Sequence, residues 1–372
     1  PPRSTLFPYT TLFRSSHWAY KFVSQLVNDG TVKGNEGGYF EPDKMVSRAE
    51  FVKMIGKGMV TRNKEYVDVP KQHWGYDYIM TSGLEGDENN RFNPSVPMTR
   101  GETIELLWMR AGKPSDIIAP SIITKQAENK EAVAWIYMYG VMVGSDGVNL
   151  RLNDPISRAE VAALIIRARQ VNENSEQISF VDTVSPELLE MVYNSINIFD
   201  MPYDADKSIT NGEMARAAVR LASEEFNLTY RKFPIEASFD NAYAKDMTII
   251  GKCIGQDKVS EGFIEQNANN SDTITAFAYA AILKAHTSVS YGNANNYYKD
   301  VAAMEKNLAN TMLTYAYENG VHLFSNGRVK PTERITLKNV AAILLQLDDC
   351  IGLQSVVTTD INEQGKDRKS VV

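Results

Sequence analysis

The chain has little of what metal sites and disulfide frameworks require. Its 372 residues include two cysteines and four histidines. Cys253 and Cys350 have neither CxxC spacing nor a histidine at metal-ligand spacing, so the pattern predicts no metal site and no cofactor. Buried free thiols are one interpretation of the two cysteines. A disulfide between them is the other, because sequence spacing does not show how closely their Cα atoms approach.

Catalytic motifs are also missing. The sequence contains no GxSxG elbow, no Walker loop, no HExxH and no Cys/His pair in a recognisable context. The adjacent acids Asp348 and Asp349 follow a predicted helix, where a solvated surface is the ordinary interpretation. We therefore predict that the chain is not an enzyme, with an enzyme domain outside this sequence left open.

Long apolar runs and a positive net charge are absent as well. No segment has the roughly 18 consecutive apolar residues that a membrane-spanning helix needs, and none resembles a signal peptide. The formal net charge is −7, which argues against non-specific nucleic-acid binding, because that affinity comes mainly from clustered cations. With 43% hydrophobic and 23% charged residues, the composition is that of a globular chain of about two or three domains.

The two ends resemble translated sequencing-adapter sequence. Residues 1–15, PPRSTLFPYTTLFRS, look like the translation of a sequencing-adapter oligonucleotide, and residues 367–372, DRKSVV, look like its reverse complement. We interpret both ends as non-native and exclude them from the fold. On this interpretation the natural termini are missing, and a signal peptide is expected to have been lost with them.

A repeat with a period of about 50 to 65 residues organises the rest of the chain. Three well-formed copies are predicted over residues 16–60, 66–114 and 131–170, which together form a unit over 16–172. Each copy reads as an amphipathic helix, a glycine-rich loop, a turn that contains proline, and a second helix. The three second helices open with SRAE, TRGE and SRAE, which fit the capping box. The capping pairs are Ser47 with Glu50, Thr99 with Glu102, and Ser157 with Glu160.

Capping does not explain the arginine that follows each cap. Arg48, Arg100 and Arg158 each put a cation in the first helical turn, which costs a few tenths to about 1 kcal/mol because the helix dipole is already positive there. One explanation is that each arginine pairs with an acid of a neighbouring repeat. The other is that the guanidinium and the free helix amides bind the carboxylate of a ligand.

The HWA-type helix start, the glycine loop, the F-x-P turn and the S/T-R-A/G-E helix start together resemble the S-layer homology family. This resemblance implies that three modules assemble into a pseudo-threefold helical bundle with grooves between them. It also implies that the grooves bind an anionic secondary cell-wall polymer with pyruvylated sugar. The family's ligand-binding arginine then falls on Arg48, Arg100 and Arg158.

The first two copies also carry the family's helix-start tryptophan, as Trp18 and Trp74. An exposed indole beside a groove stacks on a sugar face, whereas a tryptophan on an apolar helix stripe commonly belongs to the core. Both interpretations stay open on the sequence. His17 and His73 precede these tryptophans at the same repeat position, so we interpret them as structural counterparts and not as a metal pair.

A second set of copies is weaker and spans residues 178–355, followed by a tail over 356–366. Its predicted copies cover about 180–225, 239–287 and 297–353. The first of these keeps the capping pair of Thr210 and Glu213 but has Asn211 in place of the arginine. In the last copy Leu337 replaces the arginine and Asn339 replaces the glutamate, so both binding and capping are in doubt there.

We therefore predict a mainly α chain with two sets of helix-loop-helix repeats. The predicted function is non-covalent anchoring of a secreted surface protein to a Gram-positive cell wall through its polysaccharide, in an extracellular location and with self-assembly possible. The alternative is a structural scaffold or protein-docking module of the envelope that binds no polysaccharide. A wall hydrolase is a remote third, since it needs two carboxylates across a cleft.

Overall fold

In the computed structural model the regular secondary structure of the described residues is helical. The described residues contain no strand, only isolated bridges between repeats, so the predicted mainly α class is confirmed. The structure describes residues 16–35, 39–58, 60, 65–172, 174–196, 201–210, 213–214, 216–217, 300, 314, 316–318, 320–324, 328–330 and 333–347. The predicted fifth copy, Asn211 and both cysteines lie outside them.

In each copy of the first set the helices follow the predicted order of a first helix and a capped second helix. In the first set they are α1 (Tyr20–Asn28), α2 (Arg48–Ile55), α3 (Tyr76–Met80), α4 (Arg100–Arg110), α5 (Ser121–Thr124), α6 (Lys130–Met138) and α7 (Arg158–Gln170). In the second set they include α8 (Phe180–Thr183), α9 (Pro186–Ile196) and α10 (Leu337–Gln346).

A closed cycle of backbone hydrogen bonds joins the three capped helix starts of the first set. The N–H of Val46 donates to the carbonyl of Ile156 at 3.0 Å, the N–H of Ile156 donates to Met98 at 3.0 Å, and the N–H of Met98 donates to Val46 at 2.7 Å. All three side chains are fully buried. Because each copy donates to one neighbour and accepts from the other, the first set has a pseudo-threefold arrangement.

The helices obey the same cyclic rule. The first helix of each copy packs on the second helix of the preceding copy, so that α3 packs on α2, α6 packs on α4 and α1 packs on α7. This exchange buries the apolar stripe of every helix against another copy, which a lone helix pair leaves in water. It also places residues of adjacent copies on the two sides of each groove.

The second set repeats this arrangement where it is described. The N–H of Ile209 donates to the carbonyl of Ile335 at 3.1 Å, and the N–H of Leu337 donates to Lys207 at 3.0 Å. Helix α10 of the last copy packs on α9 of the first copy of this set, as α7 does on α1. The second set therefore keeps the helix-start bonds and the packing of the first.

The second set is docked directly on the third copy of the first. The Tyr137 hydroxyl donates to the carbonyl of Gly147 at 2.8 Å and lies 2.6 Å from the Thr183 hydroxyl. Gly147 has a φ of +84°, and a Cβ there would overlap the carbonyl of Thr183. Helix α10 also packs on α5. Close backbone approach thus joins the two sets without a free linker between them.

Among the described helices none is long and apolar enough to cross a membrane.

Candidate functional site

Capping boxes fix the start of each second helix. The Ser47 hydroxyl accepts from the N–H of Glu50 at 3.3 Å, and the Glu50 carboxylate accepts from the N–H of Ser47 at 2.8 Å. Equivalent boxes form at the start of the other second helices: Thr99 with Glu102, Ser157 with Glu160, Thr210 with Glu213, and Thr336 with Asn339. The last box corrects the doubt about capping in the sixth copy, because an amide oxygen there takes the place of the carboxylate.

Each helix-start arginine reaches across to the loop of the next copy. The Nε of Arg48, Arg100 and Arg158 donates to the backbone carbonyl of Phe92, Leu150 and Phe40, respectively, at 2.7 to 2.8 Å. Partial burial lowers the pKa of all three guanidiniums, which nevertheless stay charged because an arginine pKa starts so high. The arginines therefore link adjacent copies through hydrogen bonds from a charged donor.

Two of these cations are neutralised inside the protein. Arg48 forms an ion pair with Glu102, and Arg100 forms one with Glu160 at 2.5 Å. Only 12% and 10% of the two arginine side chains are exposed. Arg48 and Arg100 therefore pair with an acid of a neighbouring copy, which was the first explanation offered for these arginines. Each of the two glutamates also caps its own helix.

Arg158 differs from the other two. Among the described residues no carboxylate lies within ion-pairing distance of its guanidinium. Its Nη2 donates instead to the carbonyl of Lys33 at 3.0 Å, and its guanidinium carbon lies 4.8 Å from the centre of the Phe40 ring. Glu50 is the counterpart of Glu102 and Glu160, but it attracts Arg158 only from beyond ion-pairing distance. This attraction raises the pKa of the Arg158 guanidinium, whereas the larger effect of burial lowers it.

The two tryptophans are exposed and not in the core, with 37% of Trp18 and 56% of Trp74 accessible. The Nζ of Lys53 lies 5.2 Å from the centre of the Trp74 ring. His17 and His73 form a turn before each helix, in which their Nδ1 atoms accept from the N–H two residues on at 3.1 and 3.0 Å. Each imidazole stacks on the indole that follows it.

These side chains distinguish three grooves, one beside each second helix. The Trp74 groove, beside α2, is defined by symmetry with the Trp18 groove described next. Trp74, with Lys53 near its ring, takes the place of Trp18, and Arg158, which Glu50 attracts, takes the place of Arg100.

The Trp18 groove, beside α7, has a volume of about 250 Å³. Its lining includes Trp18, Arg100, Met142, Glu160, Ala163 and Arg167. Arg167 was not among the candidate residues from the sequence, because it lies two and a half turns from the conspicuous helix start.

The third groove, the Glu105 groove, lies beside α4 and is more acidic. Glu105 occupies the helix position that Lys53 and Ala163 hold in the other two. The adjacent helix α6 is capped by Asn129, whose side chain accepts from the N–H of Ala132 at 3.1 Å, and no tryptophan stands at this start. The one tryptophan of α6, Trp135, is buried in the core.

Within the described part of the chain no three His, Cys, Asp or Glu residues are grouped to hold a metal ion.

The comparisons with known proteins find a family model and several relatives that resemble parts of this chain. The family model of the S-layer homology domain matches residues 14–52, 84–104 and 123–162. A Surface-layer 125 kDa protein of Lysinibacillus sphaericus is 26% identical over 191 residues, which cover 47% of this chain and 16% of that protein. A Cellulosome-anchoring protein of Acetivibrio thermocellus is 34% identical over 106 residues, which cover 25% of this chain and 24% of that protein.

An Endoglucanase of a Bacillus species is 26% identical over 115 residues, which cover 29% of this chain and 12% of that enzyme. The chain thus matches no more than about a quarter of the length of these relatives. The three matches of the family model fall on the three copies of the first set, whose cyclic packing the structure describes. The first set of repeats therefore matches the S-layer homology domain three times, once in each copy.

Proposed function

We propose that the chain is a non-enzymatic anchoring module of the bacterial cell surface. In this proposal the first set binds an anionic cell-wall polysaccharide that carries pyruvate ketals, and it holds the rest of a secreted protein to the wall. Support comes from the S-layer homology matches and from relatives named as surface-layer and cellulosome-anchoring proteins. The relative named as an endoglucanase is consistent with such a module attached to an enzyme.

The observation that carries the proposal is the Trp74 groove. Arg158 brings a cation that no described carboxylate pairs, and Lys53 brings a second cation against the exposed face of Trp74. Glu50 and Lys53 lie three residues apart on α2, so they face the same side of the helix. An aromatic face beside two cations suits a sugar ring that carries a carboxylate.

The chemistry of the groove divides between the two kinds of side chain. A guanidinium holds a carboxylate through two parallel N–H bonds, and charge-assisted bonds of this kind are stronger than neutral ones. In the proposal Arg158 holds the ketal carboxylate in this way while the sugar ring lies on the indole of Trp74. Trp18 belongs to the Trp18 groove, at the equivalent position of the next pair of copies. Arg48 and Arg100, which are ion-paired internally, hold adjacent copies together.

A scaffold without polysaccharide binding is the second candidate. The ion pairs of Arg48 with Glu102 and of Arg100 with Glu160 favour it, because they account for two of the three arginines without a ligand. The docked second set, which has Leu337 buried at its arginine position, favours the same role for that half of the chain.

Sedimentation with Gram-positive wall sacculi tests the proposal. The full chain is mixed with intact sacculi and with sacculi stripped of their secondary polymer, beside the Trp74→Ala and Arg158→Gln variants. We expect the wild-type chain to sediment with intact walls alone and both variants to lose at least tenfold in affinity. A chain that stays in solution with every wall that carries pyruvylated polymer would leave the scaffold as its function.

A further inference from the structure

The capping glutamate of each copy in the first set faces the helix-start arginine of the preceding copy. Two of these pairs are closed: Arg48 with Glu102, and Arg100 with Glu160. In both closed pairs Nη1 of the arginine meets Oε1 of the glutamate. Because the copies pack in a cycle, Arg158 of the third copy and Glu50 of the first are the third pair of this series.

The third pair has the same parts but is open. Arg158 is held as Arg48 is, with its Nε on the carbonyl of Phe40 and its Nη2 on the carbonyl of Lys33. Nη1, the atom with which the other two arginines hold their glutamates, has no carboxylate of the described residues within ion-pairing distance. Glu50 attracts the guanidinium from beyond that distance. Both charges are therefore in place without a direct bond.

The helix cap does not prevent this pair from closing. Oε2 of Glu50 accepts from the N–H of Ser47 at 2.8 Å. In the same way Oε2 of Glu160 accepts from the N–H of Ser157 at 2.9 Å, while its Oε1 pairs with Arg100. One carboxylate thus serves both roles there. Closing the third pair costs Glu50 no capping bond, and the attraction between the two charges favours it.

A ligand carboxylate needs the same edge of Arg158. Nε and Nη2 of this arginine already donate to backbone carbonyls, so Nη1 is the atom that an incoming carboxylate meets first. Glu50 in the closed position would cover Nη1, as Glu102 covers Nη1 of Arg48. Two carboxylates at one edge also repel each other. Binding of the ligand and closure of the pair therefore exclude each other.

We propose that Glu50 is an internal competitor for Arg158 and thereby determines which ligands the Trp74 groove retains. Its Oε1 exchanges between the open position and a closed position on Nη1 of Arg158, and a ligand must hold the open one. This inference rests on the proposed function, because it takes Arg158 as the ligand-binding residue. It adds a threshold: a sugar without an anionic group does not displace a carboxylate that is tethered beside the guanidinium.

A second acid, Glu41, also attracts Arg158 but is less suited to this role. Its side chain is 43% exposed and lies 4.0 Å from the Nζ of Lys44. Water and the lysine both weaken its attraction for the guanidinium. Glu41 caps no helix start, and its place in the turn after Phe40 has no counterpart in the two closed pairs. Glu41 is therefore the matched control for loss of a negative charge near Arg158.

Sedimentation of the full chain with intact wall sacculi tests the proposal through Glu50→Gln, beside Glu41→Gln and Glu102→Gln. A glutamine keeps the capping box, as the amide of Asn339 does in the last copy, so Glu50→Gln removes the charge and leaves the helix start. Glu102→Gln removes the same charge in the groove that has no tryptophan at its helix start. Thermal unfolding of each variant checks that it is folded.

We expect Glu50→Gln to bind walls about threefold or more tightly than the wild type, because the competing charge is gone. The two controls are expected to bind as the wild type does. A folded Glu50→Gln variant with unchanged wall affinity would overturn the competition and leave wall binding intact. Weaker binding would also overturn it, since Glu50 would then be a ligand contact. A wild type that binds no wall would remove the proposed function and this inference with it.

Unfolding in urea gives a second readout that needs no wall. The variants are Glu50→Gln, Arg158→Gln and the double variant. We expect the double variant to lose less stability than the two single variants together, because Glu50 and Arg158 attract each other only while both charges are present. Strictly additive losses would overturn the closed position of Glu50, whatever the walls show.

Discussion

The two sets of repeats share a frame and differ in charge. Both join their helix starts by backbone bonds and cap them with Ser or Thr, and in both the last second helix packs on the first helix of the set. At the arginine position the first set has three cations, whereas the last copy of the second set has the buried Leu337. The capping box and the packing of helices therefore recur in the second set without the arginine, which in the first set adds further contacts between copies.

The three grooves of the first set make the same point at a finer scale. Among the described residues, the same helix start gives an ion-paired arginine in the Trp18 and Glu105 grooves and an arginine without an acidic partner in the Trp74 groove. A motif that repeats three times thus does not imply three equal sites. The side chains three residues beyond the capping glutamate, Lys53, Glu105 and Ala163, set the charge of each groove.

The largest effect is expected where the two sets meet. Gly147→Val puts a side chain on a backbone with φ of +84° and into the carbonyl of Thr183, so we expect a loss of about 4 kcal/mol or more in the free energy of unfolding in urea. Gly112→Val is the matched control. It has a φ of +89° but open space around it, so it loses only the backbone strain of about 1 to 2 kcal/mol. Equal losses would show that the two sets do not depend on this contact.

The next effect separates the helix-start arginines by their ion pairs. Arg100→Met leaves Glu160 without its cation, and because that carboxylate is 29% exposed we expect a loss of about 2 to 3 kcal/mol and not the full cost of a buried charge. Arg158→Met leaves no paired carboxylate behind and is expected to lose about 1 kcal/mol. Urea unfolding of the two variants measures the difference. The reverse order would contradict the assignment of Arg100 to packing.

A smaller effect tests whether the two sets really share a frame. Ser157→Ala and Thr336→Ala each remove the hydroxyl of a capping box, one in each set. Each is expected to lose about 1 kcal/mol in the free energy of unfolding. The corresponding Ser157→Thr and Thr336→Ser variants, which keep a hydroxyl, are the controls. A loss of stability from only one of the two alanine substitutions would show that the capping box does not stabilise both sets.

The smallest expected effect is on the stability of the first set in acid. Burial raises the pKa of Asp29, but hydrogen bonds from Thr31 and Arg169 outweigh it and leave that pKa below its ordinary value. The carboxylate of Asp29 therefore adds stability above the ordinary pKa of a carboxyl, about 4, and this stability is lost as the pH falls through the lower folded pKa. We expect Asp29→Asn to reduce the acid dependence of unfolding between about pH 4 and pH 2. An unchanged dependence would show that this surface pair contributes nothing.

The sequence predicts the helix starts well because the signals for them are local. A capping box spans four residues, so SRAE and TRGE are enough to start α2, α4 and α7. The partners of the arginines are not local. Arg48 pairs with Glu102 and Arg100 with Glu160 through the cyclic packing of copies, and a sequence pattern shows the two residue types without the distance between them.

Arg167 was missed for a related reason. In the sequence it reads as an ordinary basic residue in the last turn of a helix, where cations are favoured. Its position in the lining of the Trp18 groove depends on Trp18, which is far away in the chain. The packing of α1 on α7 brings the two residues to the same groove. The docking of the second set on Gly147 is likewise visible only once both partners are placed.

The central claim is that two roles fall to different arginines of the same motif: holding adjacent copies together, and binding the ligand. Sedimentation of the folded Arg48→Gln and Arg158→Gln variants with intact wall sacculi, side by side, tests it most directly. The account predicts that Arg158→Gln loses at least tenfold in wall affinity while Arg48→Gln, although less stable, binds within about twofold of the wild type. Equal loss of wall binding in the two variants would contradict it.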